Sequence, residues 1–308
     1  MLGAAGKMGL HLCLMLRLAL GETGGLRRVI AVSRFSNAKS REAFEKLGIE
    51  TLPCDLSDPR QLQTLQAVEN VIFMAGAKFG TSDQPGLLRR MNEEMPAQVA
   101  EHFKTSRITA FSTGCVYSFA SVDSAGSTET SPTVPVGAYA QSCLGREQAF
   151  LQTSKKFGTR IALIRLNYSV EFRYGVPVDL AAKIQARIPI DVSMGHANII
   201  WQRDAILQTL LAHEHASADG FILNITGARV EKIRDLALRL GELLGSPPTI
   251  IGEEASTAWL SDASKAITLF GQPEVSTDQI LQWVAGWQLA GLPILNKPTG
   301  FEKRDGNF

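Results

Sequence analysis

The strongest constraint on the fold is an alternation of short apolar runs and amphipathic stretches along the first half of the chain. The apolar runs, rich in β-branched residues, predict strands at 28–33, 70–75, 107–112 and 160–165. The stretches between them have helical periodicity near 38–47, 60–67, 87–104 and 139–157. Apolar strands separated by helices are typical of a parallel sheet covered on both faces. We therefore predict an α/β fold with a doubly wound parallel sheet of about seven strands.

The last third of the chain has a different pattern. It predicts helices near 202–214, 230–244, 261–270 and 276–289, with one strand at 221–225. This pattern predicts a small, mainly helical substrate region that spans residues 169–292. Part of the chain near 199–225 is expected to rejoin the sheet. The substrate region follows a nucleotide-binding domain over 1–168. The polar tail 293–308 is predicted to be an extended wrap or a loose end.

Charge and apolar content exclude several classes of protein. Lys and Arg number 31 and Asp and Glu 30, so the chain lacks the basic excess of a bulk nucleic-acid binder. The apolar run 8–20 is interrupted by His11 and Arg17 and is shorter than the ~20 residues of a membrane span. The four cysteines have wide, irregular spacing, which favours reduced thiols in a cytoplasmic protein without a metal centre.

A glycine-rich segment precedes the first predicted helix. Gly3, Gly6 and Gly9 spell GxxGxxG, with Lys7 and Met8 in the final turn. Glycines allow a tight turn and close approach of a pyrophosphate, and the N–H groups of a following helix favour the anion. Followed by a helix and a β-rich run, the motif predicts a dinucleotide-binding loop.

The end of the run at 28–33 bears on the choice of dinucleotide. Folds of this kind place an acidic residue there for the ribose 2′-OH of NAD, or an arginine for the 2′-phosphate of NADP. Here the residues are Ser33 and Arg34, and the next carboxylate after them is that of Glu42. NADP(H) is therefore favoured over NAD(H); the alternative is that Arg34 stacks on the adenine.

Further motifs follow in the order of one known family. They are Asp55-Leu56, Ala75-Gly76-Ala77, Asn92, Phe111-Ser-Thr113-Gly-Cys-Val-Tyr117 and Tyr139-Ala-Gln-Ser-Cys143-Leu-Gly-Arg-Glu147. The chain resembles the extended short-chain dehydrogenase/reductases, the NAD-dependent epimerase/dehydratase group. The resemblance implies that Asp55, Leu56, Ala75, Gly76, Ala77, Asn92 and Tyr139 contact the dinucleotide. It also implies a homodimer formed through the helices near 87–104 and 139–157.

The resemblance assigns catalysis to a hydroxyl residue, a tyrosine and a lysine. Thr113 and Tyr139 match the first two, but Cys143 occupies the lysine position. A phenol with a reference pKa of ~10 needs a nearby positive charge to act near neutrality, and a thiol supplies none. Arg146 lies on roughly the same helix face, about 10 Å further along the axis, and is a weak candidate for a substitute cation.

Two functions remain open. The first is an NAD(P)-dependent oxidoreductase, epimerase or dehydratase acting on a hydroxyl or keto carbon of a small, sugar-like substrate. The second is a catalytically degenerate dinucleotide-binding sensor or scaffold. A nucleotide-sugar substrate is not favoured, because Ala197 occupies the position where the resemblance implies an arginine for the diphosphate. The HxH formed by His213 and His215 lies near a predicted helix end. This position favours packing at the helix end rather than a metal site.

The first residues of the chain are unusual for this fold. Only Met1 and Leu2 precede Gly3, whereas an average strand has roughly five residues. The first strand is therefore expected to be cut short, or residues upstream of Met1 to be absent. We expect the natural reading frame to begin several residues earlier.

Overall fold

A computed structural model describes residues 1–22, 27–78 and 84–306. The chain divides into two compact units, each assembled from separate stretches. Unit 1 comprises Met1–Ser112, Gln141–Ile164 and Thr209–Ile222. Unit 2 comprises Thr113–Ala140, Arg165–Gln208 and Leu223–Phe308.

The strands and helices follow the predicted alternation. The strands are β1 (Ile30–Ser33), β2 (Glu50–Pro53), β3 (Asn70–Phe73), β4 (Arg107–Thr113), β5 (Ala120–Ser121), β6 (Ile161–Leu166), β7 (Ser169–Val170), β8 (Ile190–Asp191), β9 (His196–Ala197), β10 (Ile200–Trp201), β11 (Phe221–Ile225), β12 (Glu231–Lys232), β13 (Ile250–Ile251) and β14 (Thr257–Ala258). The helices are α1 (Gly9–Glu22), α2 (Ala38–Lys46), α3 (Pro59–Leu62), α4 (Pro85–Arg89), α5 (Met95–His102), α6 (Ala138–Phe157), α7 (Val176–Gln185), α8 (Gln202–Ala212), α9 (Ile233–Leu244), α10 (Ser264–Phe270) and α11 (Thr277–Leu289).

The main sheet is built around Leu2. One part has the order β11-β6-β4-β3, and β1 pairs in parallel with β2. Leu2 joins the two parts through parallel bridges to Val32 of β1 and Phe73 of β3. Six strands and Leu2 thus occupy seven positions in a row, with Leu2 at the point where the strand order reverses. The predicted doubly wound α/β fold is confirmed.

The core of unit 1 lies against this sheet. Phe73, Ile108, Phe150 and Leu163 are almost fully buried in one apolar cluster that also contains Leu2. Phe73 and Phe150 pack with ring centroids 5.1 Å apart, which connects β3 to α6. β3 pairs in parallel with β4, with Phe73 opposite Ala110, so the carboxyl ends of the two strands lie at the same edge of the sheet.

The prediction of a single regular helix near 87–104 is wrong. The helical segment is interrupted by a π-helical turn, Arg90–Glu94, between α4 and α5. Pro96 has no N–H with which to bond the carbonyl of Asn92, so the regular bonding pattern cannot pass this point. Instead, the N–H of Met95 donates to the carbonyl of Arg90, five residues earlier. Turns of this type widen the helix locally and are frequent at functional sites.

Two other helices differ from the sequence prediction. α3 is a single turn, Pro59–Leu62, rather than a helix near 60–67. α7 has no predicted counterpart, although its apolar positions, including Leu180 and Ile184, have helical spacing and are buried. Pro177, at the start of α7, suits the first turn of a helix, where an N–H has no intrahelical partner.

Unit 2 has a mainly helical core. α7, α9 and α11 pack on one another through Leu180, Leu236, Leu240 and Val284, which are buried. Short strand pairs such as β9 with β12 border these helices. The substrate region predicted over 169–292 stays a prediction.

The C-terminal segment is extended and attached to unit 2. The N–H and hydroxyl of Thr299 both donate to Asp179 Oδ2 at 2.7 Å. Phe301 is buried in the unit 2 core, and Arg304 donates to the carbonyl of Thr257 at 2.7 Å. These contacts attach the segment to α7 and to β14.

Within the described ranges, no helix is long and apolar enough to cross a membrane. α1, the most apolar segment singled out in the sequence, has 14 residues. Leu12 and Cys13 of this helix are buried in unit 1.

His213 is a buried hydrogen-bonding residue. It follows α8 in a short 3₁₀ turn, His213–His215. Its Nδ1 lies 2.8 Å from Thr109 Oγ1 and its Nε2 lies 2.9 Å from Asn70 Oδ1. A neutral imidazole satisfies both contacts, because one nitrogen accepts and the other donates. No group of three or more metal-ligating side chains lies together in the described part of the chain.

The environment of His213 predicts a pH-dependent stability. Burial, with repulsion from Arg107, lowers its pKa from 6.5 to about 4. Between these values the unfolded chain binds a proton that the folded chain does not, so stability falls as pH falls from about 6.5 towards 4. We expect His213→Gln to reduce the change in the free energy of unfolding between pH 6.5 and pH 4 by on the order of 2–3 kcal/mol. Urea unfolding at a series of pH values measures this change. The exposed His215→Gln is the control, and an equal slope in both variants would contradict the assignment.

Candidate active site

The three glycines of the GxxGxxG segment have different surroundings. Gly3 has φ +83°, and a Cβ there would lie 2.5 Å from the backbone N of Ala75. A Cβ on Gly9 would lie 1.9 Å from the carbonyl oxygen of Ala4. A Cβ on Gly6 would meet, among described atoms beyond its neighbours, only the carbonyl oxygen of Gly3 at 3.4 Å. Packing within the protein thus explains Gly3 and Gly9 but not Gly6.

Backbone hydrogen bonds hold this segment between the sheet and α1. Gly3 N–H donates to the carbonyl of Val32 at 2.9 Å, and Gly6 N–H donates to the carbonyl of Gly3 at 3.2 Å. Lys7 and Met8 are half-buried, whereas Gly6 is exposed. α1 therefore begins three residues after an exposed glycine, next to the switch point of the sheet, where doubly wound folds bind their ligands.

Ser33 and Arg34 lie at the carboxyl end of β1. Arg34 is exposed and Ser33 is half-buried. The tertiary structure brings the carboxylate of Asp55 close enough to interact with Arg34. Burial alone would raise the pKa of Asp55, but hydrogen bonds from Ser57 and attraction from Arg34 and Arg90 hold it below its usual value. Local sequence around Arg34 does not indicate this interaction, because Asp55 follows a different strand.

Asp55 and Leu56 follow β2 and have different environments. Asp55 Oδ1 accepts the N–H of Ser57 at 2.9 Å and its hydroxyl at 2.8 Å. Leu56 is buried in the unit 1 core. Ser57 thus fixes the orientation of the Asp55 carboxylate.

Asn92 binds the chain that follows β3. Its Oδ1 accepts the N–H of Ala77 and its Nδ2 donates to the carbonyl of Ala77, both at 2.9 Å. Nδ2 also donates to Ser142 Oγ at 2.9 Å. Asn92 is fully buried in the π-helical turn and holds Ala75, Gly76 and Ala77 against α6. The motif Ala75-Gly76-Ala77 is therefore in direct contact with Asn92, another residue of the family pattern.

Arg146 has a larger role than the sequence indicates. Its Nη2 donates to Asn92 Oδ1 at 2.6 Å, and its Nη1 donates to the carbonyl of Phe111 at 3.1 Å. A Cβ on Gly76 would lie 2.3 Å from Nη2. Spacing along the predicted helix relates Arg146 only to Tyr139. Its bonds to Asn92 and Phe111 depend on the folding of α6 onto β3 and β4 and have no local sequence signal.

Thr113 ends β4 in unit 2. Its Oγ1 accepts the N–H of Cys115 at 3.2 Å and caps the short 3₁₀ turn Gly114–Val116. Since the oxygen acts as the acceptor, the hydroxyl proton remains available for donation. Tyr117 is buried, donates to Asn224 Oδ1 and accepts from Arg165 Nη1, each at 2.8 Å. Burial is the main reason that the pKa of Tyr117 is raised.

Tyr139 and Cys143 lie four residues apart in α6. Tyr139 is half-buried and belongs to unit 2, whereas Cys143 is fully buried and belongs to unit 1. Residues one turn apart share a face of a helix. All the other candidate dinucleotide residues belong to unit 1, and Thr113 belongs with Tyr139 to unit 2.

Comparisons with known proteins give a family and several similar folds. A model described as the NAD dependent epimerase/dehydratase family matches residues 1–170. No curated protein sequence matches the chain. A UDP-galactose 4-epimerase structure has a TM-score of 0.73 at 22% identity, over 94% of this chain and 98% of that one.

Two further solved structures are similar over nearly the whole chain. A UDP-glucuronic acid 4-epimerase from Bacillus cereus, in complex with NAD, has a TM-score of 0.74 at 20% identity, over 93% of this chain and 97% of that one. A UDP-glucose 4-epimerase from Thermus thermophilus, also with NAD, has a TM-score of 0.75 at 17% identity, over 92% of this chain and 96% of that one. At such identities the likeness concerns the fold.

Proposed function

The chain belongs to the NAD-dependent epimerase/dehydratase family, and from this premise we propose that it binds a nicotinamide dinucleotide and acts on a hydroxyl or keto carbon of a small, sugar-like substrate. In this proposal residues 1–168 bind the dinucleotide and 169–292 bind the substrate. The candidate dinucleotide residues are Gly3, Gly6, Lys7, Met8, Gly9, Ser33, Arg34, Asp55, Leu56, Ala75, Gly76, Ala77, Asn92 and Tyr139.

The surroundings of Gly6 support the proposal most directly. Its neighbours in the motif, Gly3 and Gly9, are glycines because the protein itself leaves no room for a side chain. Gly6 is exposed at the start of α1, with space where a Cβ would point. A glycine that packing does not require fits a backbone approached closely by a pyrophosphate, next to the N–H groups of a helix. The residues present therefore fit the dinucleotide.

The proposed dinucleotide is NADP(H) rather than NAD(H). Arg34 is exposed at the end of β1 and can form a bidentate pair with a 2′-phosphate. Asp55 opposes this preference, because its carboxylate lies close enough to attract Arg34. Fluorescence titration with NADPH and NADH separates the two, and tighter binding of NADH would reverse the preference.

The proposed chemistry involves Tyr139 and Thr113. When bound, the dinucleotide supplies the nicotinamide carbon that accepts or returns the substrate hydride. Tyr139 exchanges the proton of the substrate hydroxyl, and the Thr113 hydroxyl donates to the oxygen on which negative charge develops. Cys143, at the family's lysine position, places an uncharged thiol one turn from Tyr139, so we propose that catalysis is slow. A nucleotide-sugar is not favoured as substrate, because Ala197 is apolar and buried.

A second function is a sensor or scaffold that binds the dinucleotide without turnover. Cys143 favours this second function, because its buried, uncharged thiol stands where catalysis in the family uses a basic side chain. Both functions require dinucleotide binding. They differ in whether the natural chain turns over a substrate.

We expect Gly6→Ala to weaken dinucleotide binding at least about tenfold, because the methyl group would occupy space that the pyrophosphate approaches. Stability should stay within about 0.5 kcal/mol, since a Cβ there has room. Titration by fluorescence and thermal unfolding of the same samples measure the two effects. Gly21→Ala, near the C-terminal end of α1, is the matched control, because a Cβ there would have no neighbour within 4 Å beyond its own helix in the part of the chain that the structure describes. Unchanged affinity in Gly6→Ala would count against a pyrophosphate at this loop.

A further inference from the structure

Arg146 is a buried cation near the carboxyl ends of β3 and β4. Its exposed fraction is 7%. Two of its nitrogens donate to neutral oxygens, Asn92 Oδ1 at 2.6 Å and the carbonyl of Phe111 at 3.1 Å. The third, Nε, is buried and has no hydrogen-bond partner among the described residues.

The positive charge of Arg146 has no ion-pair partner in the described ranges. The carboxylate of Glu147, the next residue, instead accepts the hydroxyl proton of Ser112 at 2.5 Å. Cys143, one turn earlier, is buried as well. A buried charge held only by neutral groups is costly, so its retention calls for a function that uses the charge. The cost is reduced, but not removed, by the two oxygens that accept from it.

The position of Arg146 relates it to one half of the proposed dinucleotide. Ser33 and Arg34 end β1, on one side of Leu2, and Arg146 contacts Asn92 and Phe111 on the other side, where β3 and β4 end. Doubly wound folds bind a dinucleotide across this reversal of strand order, with one mononucleotide on each side. With the adenosine half at Arg34, the nicotinamide half belongs on the side of Gly76 and Arg146. A Cβ on Gly76 would lie 2.3 Å from Nη2, so any side chain at this position would displace the guanidinium.

We propose that Arg146 supplies a fixed positive charge beneath the nicotinamide half of the dinucleotide site and makes that site prefer the reduced dinucleotide. The proposal rests on the proposed dinucleotide binding. The oxidised nicotinamide ring carries a positive charge and the reduced ring is neutral, while the rest of the two molecules is the same. A nearby guanidinium therefore disfavours only the oxidised form. Weak screening inside a protein makes this effect larger than it is in water.

The experiment compares dissociation constants of the oxidised and reduced forms of one dinucleotide, measured by calorimetry on the full chain. We expect the wild type to bind the reduced form roughly fivefold to twentyfold more tightly. Arg146→Gln keeps an amide N–H donor but removes the charge, and should bring the two constants to within about twofold of each other. Arg146→Lys keeps the charge and should retain most of the preference. Lys156→Gln removes a charge from an exposed position of the same helix and should leave the ratio unchanged.

Several results would overturn the proposal. Equal binding of the two forms by the wild type would do so whatever the variants show. So would an Arg146→Gln variant in which both constants weaken by the same factor, because a purely structural role changes both forms equally. If the wild type binds neither form of NAD(H) or NADP(H), the proposed function itself fails, and this outcome is distinct from binding without a preference.

Discussion

Replacing Gly9 with alanine is expected to lower the free energy of unfolding by about 3 kcal/mol or more. The added Cβ would lie 1.9 Å from the carbonyl oxygen of Ala4 and 2.6 Å from its carbonyl carbon, both of them backbone atoms. A backbone clash cannot be relieved by rotating a side chain. Either α1 or the loop that contains Ala4 must move away from the sheet. Urea unfolding monitored by circular dichroism measures the loss.

The matched control for this substitution lies at the other end of α1. Among the described residues, and apart from its chain neighbours and the backbone of α1 itself, no heavy atom lies within 4 Å of an ideal Cβ on Gly21, so the same change there adds helix propensity without a clash. We expect Gly21→Ala to leave stability unchanged or to raise it by up to about 1 kcal/mol. If the two variants unfold at the same urea concentration, the close packing of Gly9 on Ala4 is refuted.

Replacing Tyr139 with phenylalanine is expected to reduce turnover by about a hundredfold or more, the contribution typical of a positioned acid or base. The ring remains and only the exchangeable proton is lost, so dinucleotide affinity should change by no more than about threefold. The measurement is hydride transfer, recorded as dinucleotide absorbance, with a panel of hydroxyl and keto compounds. Binding of the reduced dinucleotide is measured in parallel.

Tyr117→Phe provides the control, because it removes a phenol from the same unit. This hydroxyl is bonded to Asn224 and Arg165, so its loss should cost about 1 kcal/mol of stability with little effect on turnover. Equal turnover in Tyr139→Phe and the wild type would refute the assigned role of Tyr139. A wild type that binds dinucleotide without turnover, together with a Cys143→Lys variant that turns over substrate, would instead establish the sensor or scaffold function.

Much of unit 1 could be predicted from local sequence. The strand at 107–112 and the helix near 139–157 correspond closely to β4 and α6. Their patterns are strong because buried parallel strands are apolar throughout and their covering helices are amphipathic. α7 was not predicted, and the break at Arg90–Glu94 depends on the single missing N–H of Pro96. Short strand pairs such as β9 with β12 form only where two distant segments meet.

The sequence by itself determined the doubly wound α/β fold, the family and the glycine loop before α1. These follow from residue type and spacing along a continuous stretch of chain. Only the tertiary structure decided which glycines are required by packing, that Asp55 lies near Arg34, and that Arg146 is buried against Asn92 and Phe111. Each of these depends on the distance between segments far apart in the chain, and such distances are set by how helices and strands pack.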